Sequence, residues 1–374
     1  MIRVFEPRLT FSDKISVLKT LSKNDISGTS PTVKEFEKSL SNHFNRDYAI
    51  AVSNGSTALD LALEVLKLKK NDEVIVPSFT IISCLSAILR TGAKPVFCDV
   101  DEQSWNMTLE KIKEKRTNKT KAVLMVHLYG LAAEATIIEK YCNENNLILI
   151  EDSAEAHGQI VDGRPCGSFG HISTMSFYAN KHVTTGEGGA ILTNDQSISE
   201  ELKLMRNLGF VESRRFVHEN LYWNYRLGGL QSALGISQLK NLNKTINVKI
   251  KQGNYYQALL KKHADILTTQ LSKWNSIENH YWVFGVLLNT PKIRDSVMKS
   301  LHIKGIETRP FFWPLHLQPV LPNNFKENTT NLDVSEKLGK DGFYIPIGSH
   351  ISAKDQKNIV IELVDSIKIH ENQG

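Results

Sequence analysis

Three short segments carry residue types at spacings that fit chemistry. The first is Ser176-Phe177-Tyr178-Ala179-Asn180-Lys181-His182-Val183-Thr184-Thr185-Gly186-Glu187-Gly188-Gly189, where a lysine follows an apolar run and precedes a Gly/Thr-rich loop. Most lysines are solvated surface charges. The neighbours of Lys181 are small, apolar or hydroxylated, so its ammonium is expected to be partly desolvated. Desolvation lowers an amine's pKa from about 10.4, which a lysine that condenses with an aldehyde requires. The glycines form no dinucleotide fingerprint. After Gly186 and Gly188 the required third glycine is Ile191, and the loop leads into a strand-like run instead of a helix.

The second segment, Leu147-Ile148-Leu149-Ile150-Glu151-Asp152-Ser153-Ala154-Glu155-Ala156-His157-Gly158, puts two acids at the carboxyl end of an apolar run. Open α/β sheets place their ligands at that end of the strands. A carboxylate there needs water, a cation or a hydrogen-bond donor; capping a helix is its ordinary alternative role. The third, Ser53-Asn54-Gly55-Ser56-Thr57, stands between a strand-like run and an amphipathic segment. Backbone N–H groups at a helix start form an anion site, and Ser56 and Thr57 could add hydroxyl donors to a phosphate. The same residues also suit an ordinary turn and N-cap. Together, a phosphate cup, an acid at a strand end and a loop lysine are what pyridoxal phosphate requires. The lysine holds the aldehyde as an imine, and the carboxylate keeps the pyridine nitrogen protonated so that the ring serves as an electron sink.

The elements that must position these residues follow from the apolar pattern. Strands are expected at Tyr48–Val52, Glu73–Val76, Pro95–Cys98, Ala122–Val126, Leu147–Ile150, Ser173–Phe177 and Ala190–Thr193, most of them near-continuous apolar runs. Such runs suit a sheet covered on both faces, and helical patterns such as Ala58–Leu66 and Thr136–Asn145 fall between them. Alternation of this kind predicts an α/β fold with a mostly parallel sheet. Ahead of it, Val33, Phe36, Leu40 and Phe44 mark one helical face, with Ser30-Pro31 as cap and first helical residue. Beyond Arg226, helix is expected over Leu230–Leu260 with a break at Asn241–Lys244, then strands at Tyr281–Leu288 and Ile306–Phe312 around a helix at Ile293–Leu301. A final helix carries Ile359, Val360, Leu363, Val364 and Ile367 on one face, with Ser352 and Asp355 as its capping box. The chain is thus expected to divide into a large α/β domain over residues 1–245, including the N-terminal segment, and a smaller α+β domain over 246–374.

Composition narrows the function classes. The 374 residues include 45 Lys+Arg against 40 Asp+Glu, a net +5 without a basic block, so nucleic acid is not expected as a partner. No apolar run approaches the ~18–20 residues that cross a bilayer, so no membrane span is expected. Cys84, Cys98, Cys142 and Cys166 are scattered without a CxxC pair, so neither a metal site nor a disulfide framework is expected. Free thiols of this kind suit a reducing cytoplasm.

On these motifs the sequence resembles the sugar-nucleotide aminotransferases of the aspartate aminotransferase fold, fold type I of the pyridoxal phosphate enzymes. The resemblance runs from about Gly28 to His316. Lys181 with Thr184-Thr185-Gly186-Glu187-Gly188-Gly189 is similar to the family's Schiff-base loop, and Glu151-Asp152 with Ala154-Glu155-Ala156 to its cofactor-ring motif. The stretches Asn118–Ala122, His127-Leu128-Tyr129-Gly130 and Glu307-Thr308-Arg309-Pro310 look most like those of its perosamine-forming members.

The resemblance implies a fold-type-I transaminase that uses pyridoxal 5′-phosphate. It would move an amino group from glutamate to C4 of a nucleotide-linked 4-keto-6-deoxyhexose. It implies Lys181 as anchor and general base, Asp152 as partner of the pyridine nitrogen, Glu155 at the ring hydroxyl, and Ser56, Thr57 and Ser176 at the phosphate. Asn224 would serve the phosphate of a neighbouring subunit, making a homodimer with shared active sites, and His316 and Glu187 would face the substrate. Two positions depart from the family pattern: many relatives have Gln where Glu155 stands, and Ile81 replaces an aromatic residue that stacks on the ring. Related dehydratases carry histidine at the Schiff-base position, which Lys181 does not match. A retired, purely binding member of the fold would tolerate loss of Lys181 or Asp152, and both are present.

Overall fold

The computed structural model describes residues 1–325 and 329–372. The apolar runs assemble into one seven-stranded sheet: β1 (Tyr48–Val52), β2 (Glu73–Pro77), β3 (Lys94–Cys98), β4 (Thr120–Val126), β5 (Ile148–Asp152), β6 (Ile172–Ser176) and β7 (Gly189–Thr193). Their spatial order is β1-β7-β6-β5-β4-β2-β3. Only β7 runs against its neighbours; the pairings among β6, β5, β4, β2 and β3 are parallel. This is the fold-type-I architecture the sequence led us to expect.

Helices cover both faces, which is why these strands read as continuous apolar runs. Along β4, Ala122, Leu124 and Val126 pack into one core with Val74, Val76 and Ile88, while Val123 and Met125 pack into another with Ile75, Ile138 and Leu149. Helix α2 (Pro31–Phe44) buries Val33, Phe36, Leu40 and Phe44, as its spacing predicts. Pro31 opens it, but Ser30 at the N-cap makes no side-chain capping bond.

After β7 the chain forms α7 (Gln196–Arg206), α8 (Gly229–Lys240) and α9 (Leu242–Leu260), the last two broken at Asn241. A four-stranded antiparallel sheet follows, built from β8 (Leu267–Thr269), β9 (Phe284–Leu288), β10 (Arg309–Pro310) and β11 (Gly342–Ile345) in the order β8-β9-β11-β10. The expected strand over Ile306–Phe312 shrinks to Arg309–Pro310, with one further bond from Phe311 N to Gly342 O at 3.0 Å, because the Phe311 side chain turns inward against Trp105 and Tyr129. The last helix, α12 (Ala353–Glu371), starts from the Ser352/Asp355 capping box and buries Ile359, Leu363 and Ile367.

Two features bear on the expected division of the chain. The 245/246 boundary falls inside α9. The first residues belong with the smaller half: Ile2 forms a parallel bridge with Ile306, and the Val4 N–H donates to the Glu307 carboxylate at 3.1 Å. Among the described residues, no helix is long and apolar enough to cross a membrane.

Candidate active site

A cavity of about 480 Å³ opens at the carboxyl ends of the parallel strands, the place such sheets reserve for ligands. Val126 ends β4, Asp152 ends β5 and Ser176 ends β6; all three line it, together with Lys181, Glu155, Ser56, Glu187 and Ile81. The smaller half contributes Trp282, Phe312 and Tyr344.

Lys181 follows β6 in a turn held by its own N–H donating to the Tyr178 carbonyl at 2.9 Å. Its side chain is 9% exposed, and its Nζ lies 3.4 Å from Glu155 Oε1 and 3.7 Å from the ring centroid of Trp282. Burial lowers its pKa, against the opposing charges of Glu155 and Asp152. A lowered amine pKa raises the neutral, nucleophilic fraction at a given pH.

The two acids at the end of β5 point to opposite faces of the sheet, as successive strand residues must. Glu151 turns away from the cavity. It accepts hydrogen bonds from His127 Nε2 (2.9 Å), Gly167 N (2.7 Å), Phe169 N (2.9 Å) and Ser173 Oγ (2.7 Å). Desolvation pushes its pKa up, but these donors outweigh it and hold Glu151 below the usual range. Glu151, His127 and Cys166 also bring three ligand-type atoms within 4.8 Å of one another. His127 Nε2 meets Glu151, and its Nδ1 accepts from Ala133 N at 3.0 Å, so both ring nitrogens are engaged within the protein.

Asp152 faces the cavity. It is 3% exposed, and its carboxylate accepts from Ala154 N at 3.1 Å and from the Cys84 thiol at 3.6 Å. Desolvation raises its pKa, with the Ala154 N–H and the Lys181 charge opposing. A carboxylate buried with so little compensation lacks a strong cationic donor, and a protonated pyridine nitrogen is one. Glu155 sits beside it, accepting from Tyr129 N at 2.9 Å. Burial pushes Glu155 up to about 7 despite the nearby Lys181. The His127–Gly130 segment thus braces the site from behind: His127 holds Glu151, and the Tyr129 backbone holds Glu155.

The phosphate end fits as well. Helix α3 (Gly55–Glu64) starts at the cavity, with Asn54, Gly55 and Ser56 in the wall. A Cβ at Gly55 would come within 2.7 Å of the Ser176 Cβ, so glycine is what lets the helix start close against the end of β6. Ser56 Oγ lies 2.7 Å from Ser83 Oγ in the same wall. The residues present therefore fit pyridoxal phosphate: a buried acid, a buried lysine, two serines and the α3 N-terminus line one cavity.

Two expected site residues are placed elsewhere. Thr57 does not line the cavity; its hydroxyl accepts from Asn54 N (3.2 Å) and donates to Asn54 O (2.8 Å), completing the cap of α3. His316 is buried outside the cavity, with Nδ1 2.6 Å from Ser78 Oγ and Nε2 3.3 Å from Glu336. The chain around it folds back so that Leu315 N reaches Ser78 O, and Phe312 forms the wall instead. Asn224 is exposed, bridged to Asn207, and does not line the cavity of its own subunit. Ile81, 38% exposed, lines the cavity at the start of α4 (Ile82–Arg90), so an aliphatic side chain forms this part of the wall. Trp282, Phe312, Tyr344 and Cys84 went unmarked in the sequence; distant segments bring them in, and no local pattern signals them.

A lysine, a buried aspartate and a phosphate cradle at the strand ends of this sheet define a pyridoxal phosphate-dependent enzyme of fold type I. Residues 10–364 match the DegT/DnrJ/EryC1/StrS aminotransferase family, and the chain belongs to it. It is a pyridoxal phosphate-dependent sugar aminotransferase. One relative, the GDP-perosamine synthase of Escherichia coli O157:H7, is 36% identical over 345 residues, 92% of this chain and 93% of that protein. Among solved structures, an aminotransferase from Psychrobacter cryohalolentis superposes with a TM-score of 0.89 at 28% identity, covering 99% of both chains. The E. coli GDP-4-keto-6-deoxy-D-mannose-3-dehydratase with bound hydrated PLP superposes with a TM-score of 0.88 at 26% identity, covering 97% of this chain and 100% of that one.

Proposed function

We propose that this enzyme transfers the amino group of glutamate to C4 of GDP-4-keto-6-deoxymannose, giving GDP-perosamine. The observation that carries this reading is the likeness to a GDP-perosamine synthase over 92% of the chain, with Lys181 and Asp152 placed in one cavity. When bound, pyridoxal phosphate supplies the aldehyde that carries the amino group and the ring that accepts electron density. Lys181 would hold the aldehyde, and its amine would carry the proton at the donor's α-carbon and the corresponding proton on the sugar side. Asp152 would keep the ring nitrogen protonated, Glu155 would meet the ring hydroxyl, and Ser56 and Ser176 would hold the phosphate. Glu187, at the exposed rim of the cavity, would face the sugar.

The working unit is a homodimer in the cytoplasm, in which Asn224 reaches the phosphate of the partner's site. Its exposure and its absence from the lining of its own subunit's cavity support that role. A site that hydrogen-bonds a sugar hydroxyl rejects an analogue lacking that contact far better than it discriminates a methylene. The test compares GDP-4-keto-6-deoxymannose with dTDP- and UDP-linked 4-keto-6-deoxyglucose at one glutamate concentration, with amino-sugar product measured by mass spectrometry. The GDP-manno compound should have the highest kcat/KM. A higher value for either gluco compound would discard perosamine and favour a dTDP- or UDP-sugar aminotransferase.

A further inference from the structure

Lys249 is a buried amine that the reaction gives no task. It lies on α9 and is 8% exposed. Burial pushes it down to about 7, and no acidic neighbour among the described residues opposes that shift. A lysine is seldom kept in such a place without something to hold. What it holds is Trp282: Lys249 Nζ donates to the Trp282 carbonyl at 2.9 Å. The indole Nε1–H of Trp282 donates in turn to the carbonyl of Asn180, at 3.1 Å. The face of the same indole lies 3.7 Å from Lys181 Nζ. Three contacts therefore link α9 to the turn that carries the working lysine.

The same residues close a small cavity of about 20 Å³ on the far side of that turn, walled by Asn180, Lys181, His182, Lys249, Gln238 and Thr245. Asn180 Oδ1 and His182 Nε2 are buried polar atoms without a protein partner on that wall. The volume suits a single water, and the contacts that brace the turn within the protein are those through Trp282.

We propose that Lys249 is a positioning residue for the amine of Lys181: it fixes the Trp282 backbone and so holds the indole against that amine. An ammonium favours the face of an indole, which gives the lysine a defined resting place when it is not engaged. A proton-transfer step is steep in geometry, so a side chain displaced by about 1 Å can cost up to about 100-fold in rate. The inference rests on Lys181 being the working lysine and is independent of the sugar.

The experiment uses cofactor-loaded enzyme and follows the half-reaction by the loss of cofactor absorbance. A set of common amino acids serves as donors, with glutamate among them. Lys249→Met should lower the rate constant at saturating donor about tenfold and leave the half-saturating concentration within about twofold, because donor binding is not what is lost. Lys249→Gln, a shorter donor, should fall between. In a Trp282→Phe background, adding Lys249→Met should change the rate less than twofold, because coupled residues are not additive. If Lys249→Met does not fold, Lys249→Gln with Trp282→Phe completes the same cycle. A wild-type rate in the Lys249 variants, even with a lower melting temperature, would make Lys249 merely structural and overturn the proposal. So would fully multiplicative losses in the double variant. Failure of the Lys181 assignment appears separately, as a borohydride-fixed pyridoxyl group on another lysine in a peptide map.

Discussion

Glu155 is buried beside Lys181 in the cavity wall, and its surroundings make a testable difference in pH dependence. Its carboxyl is buried, accepts one backbone N–H from Tyr129, and lies 3.4 Å from Lys181 Nζ. Burial raises its pKa from 4.5 to about 7. The folded protein therefore binds this proton at a pH where the unfolded chain has released it. The stabilisation is complete below about 4.5 and is lost as pH rises through about 7. At ~1.4 kcal/mol per pKa unit, a shift of this size is worth up to about 3 kcal/mol across that window. Glu155→Gln removes the titration, and its amide oxygen can still accept from Tyr129. Losing the carboxylate also lets burial depress Lys181 further, which favours the variant at high pH and so acts in the same direction. In the cofactor-free protein, urea midpoints at a series of pH values from 4 to 9 should fall more steeply for wild type than for Glu155→Gln. Between the acid and alkaline ends, the gap should shift in the variant's favour by about 2–3 kcal/mol. Parallel curves would mean that Glu155 is ordinary in its titration, and that the burial argument fails at this residue.

Lys181→Ala should abolish the borohydride-fixed pyridoxyl adduct and steady turnover while leaving the fold intact, as checked by mass spectrometry and circular dichroism. Asp152→Asn should cripple turnover in folded, cofactor-saturated enzyme, because breaking a buried ion pair costs about 3–5 kcal/mol, far more than losing a surface carboxylate; near-wild-type turnover would reduce Asp152 to a cap. In mixed dimers of Lys181→Ala and Asn224→Ala chains, one composite site is intact and the other doubly damaged. Activity should therefore reappear on subunit exchange, and silent heterodimers verified by mass would count against a shared site.

The fold was legible because its information is local and redundant. Each strand of the large sheet is buried on both faces, so its apolar run needs no partner to be recognised, and β4 and β5 read as cleanly as they pack. The smaller half was less legible. The Ile306–Phe312 run is apolar enough for a strand, but only Arg309 and Pro310 pair with β11, and Phe311 turns inward against Tyr129 and Trp105. Ile2 and Val4 looked like part of the large domain, and a bridge to residues some three hundred positions away placed them on the other.

The site divides along the same physical line. Asp152 ends β5 and Lys181 lies in the turn after β6, so both fall where topology aims side chains at a ligand, and the motifs around them singled them out. The resemblance pointed to Asp152 over Glu151, and the structure supplies the physical reason. The two differ by one residue and hence by one face, and what fixes Glu151 as structural is a set of donors at His127, Gly167, Phe169 and Ser173, contributed by other segments. Thr57 lies off the cavity lining because its hydroxyl also has a local role, in the cap of α3. His316 was drawn off by Ser78 and Glu336 across more distant stretches of chain. The residues that close the cavity, Trp282, Phe312 and Tyr344, come from the second half of the chain and depend on how the two halves meet. A hydroxyl or imidazole in a motif is therefore free for ligand binding only after the helix ends and buried carboxylates around it are satisfied. That condition is set by contacts in the folded chain, whereas the position of a strand end is set by sequence pattern.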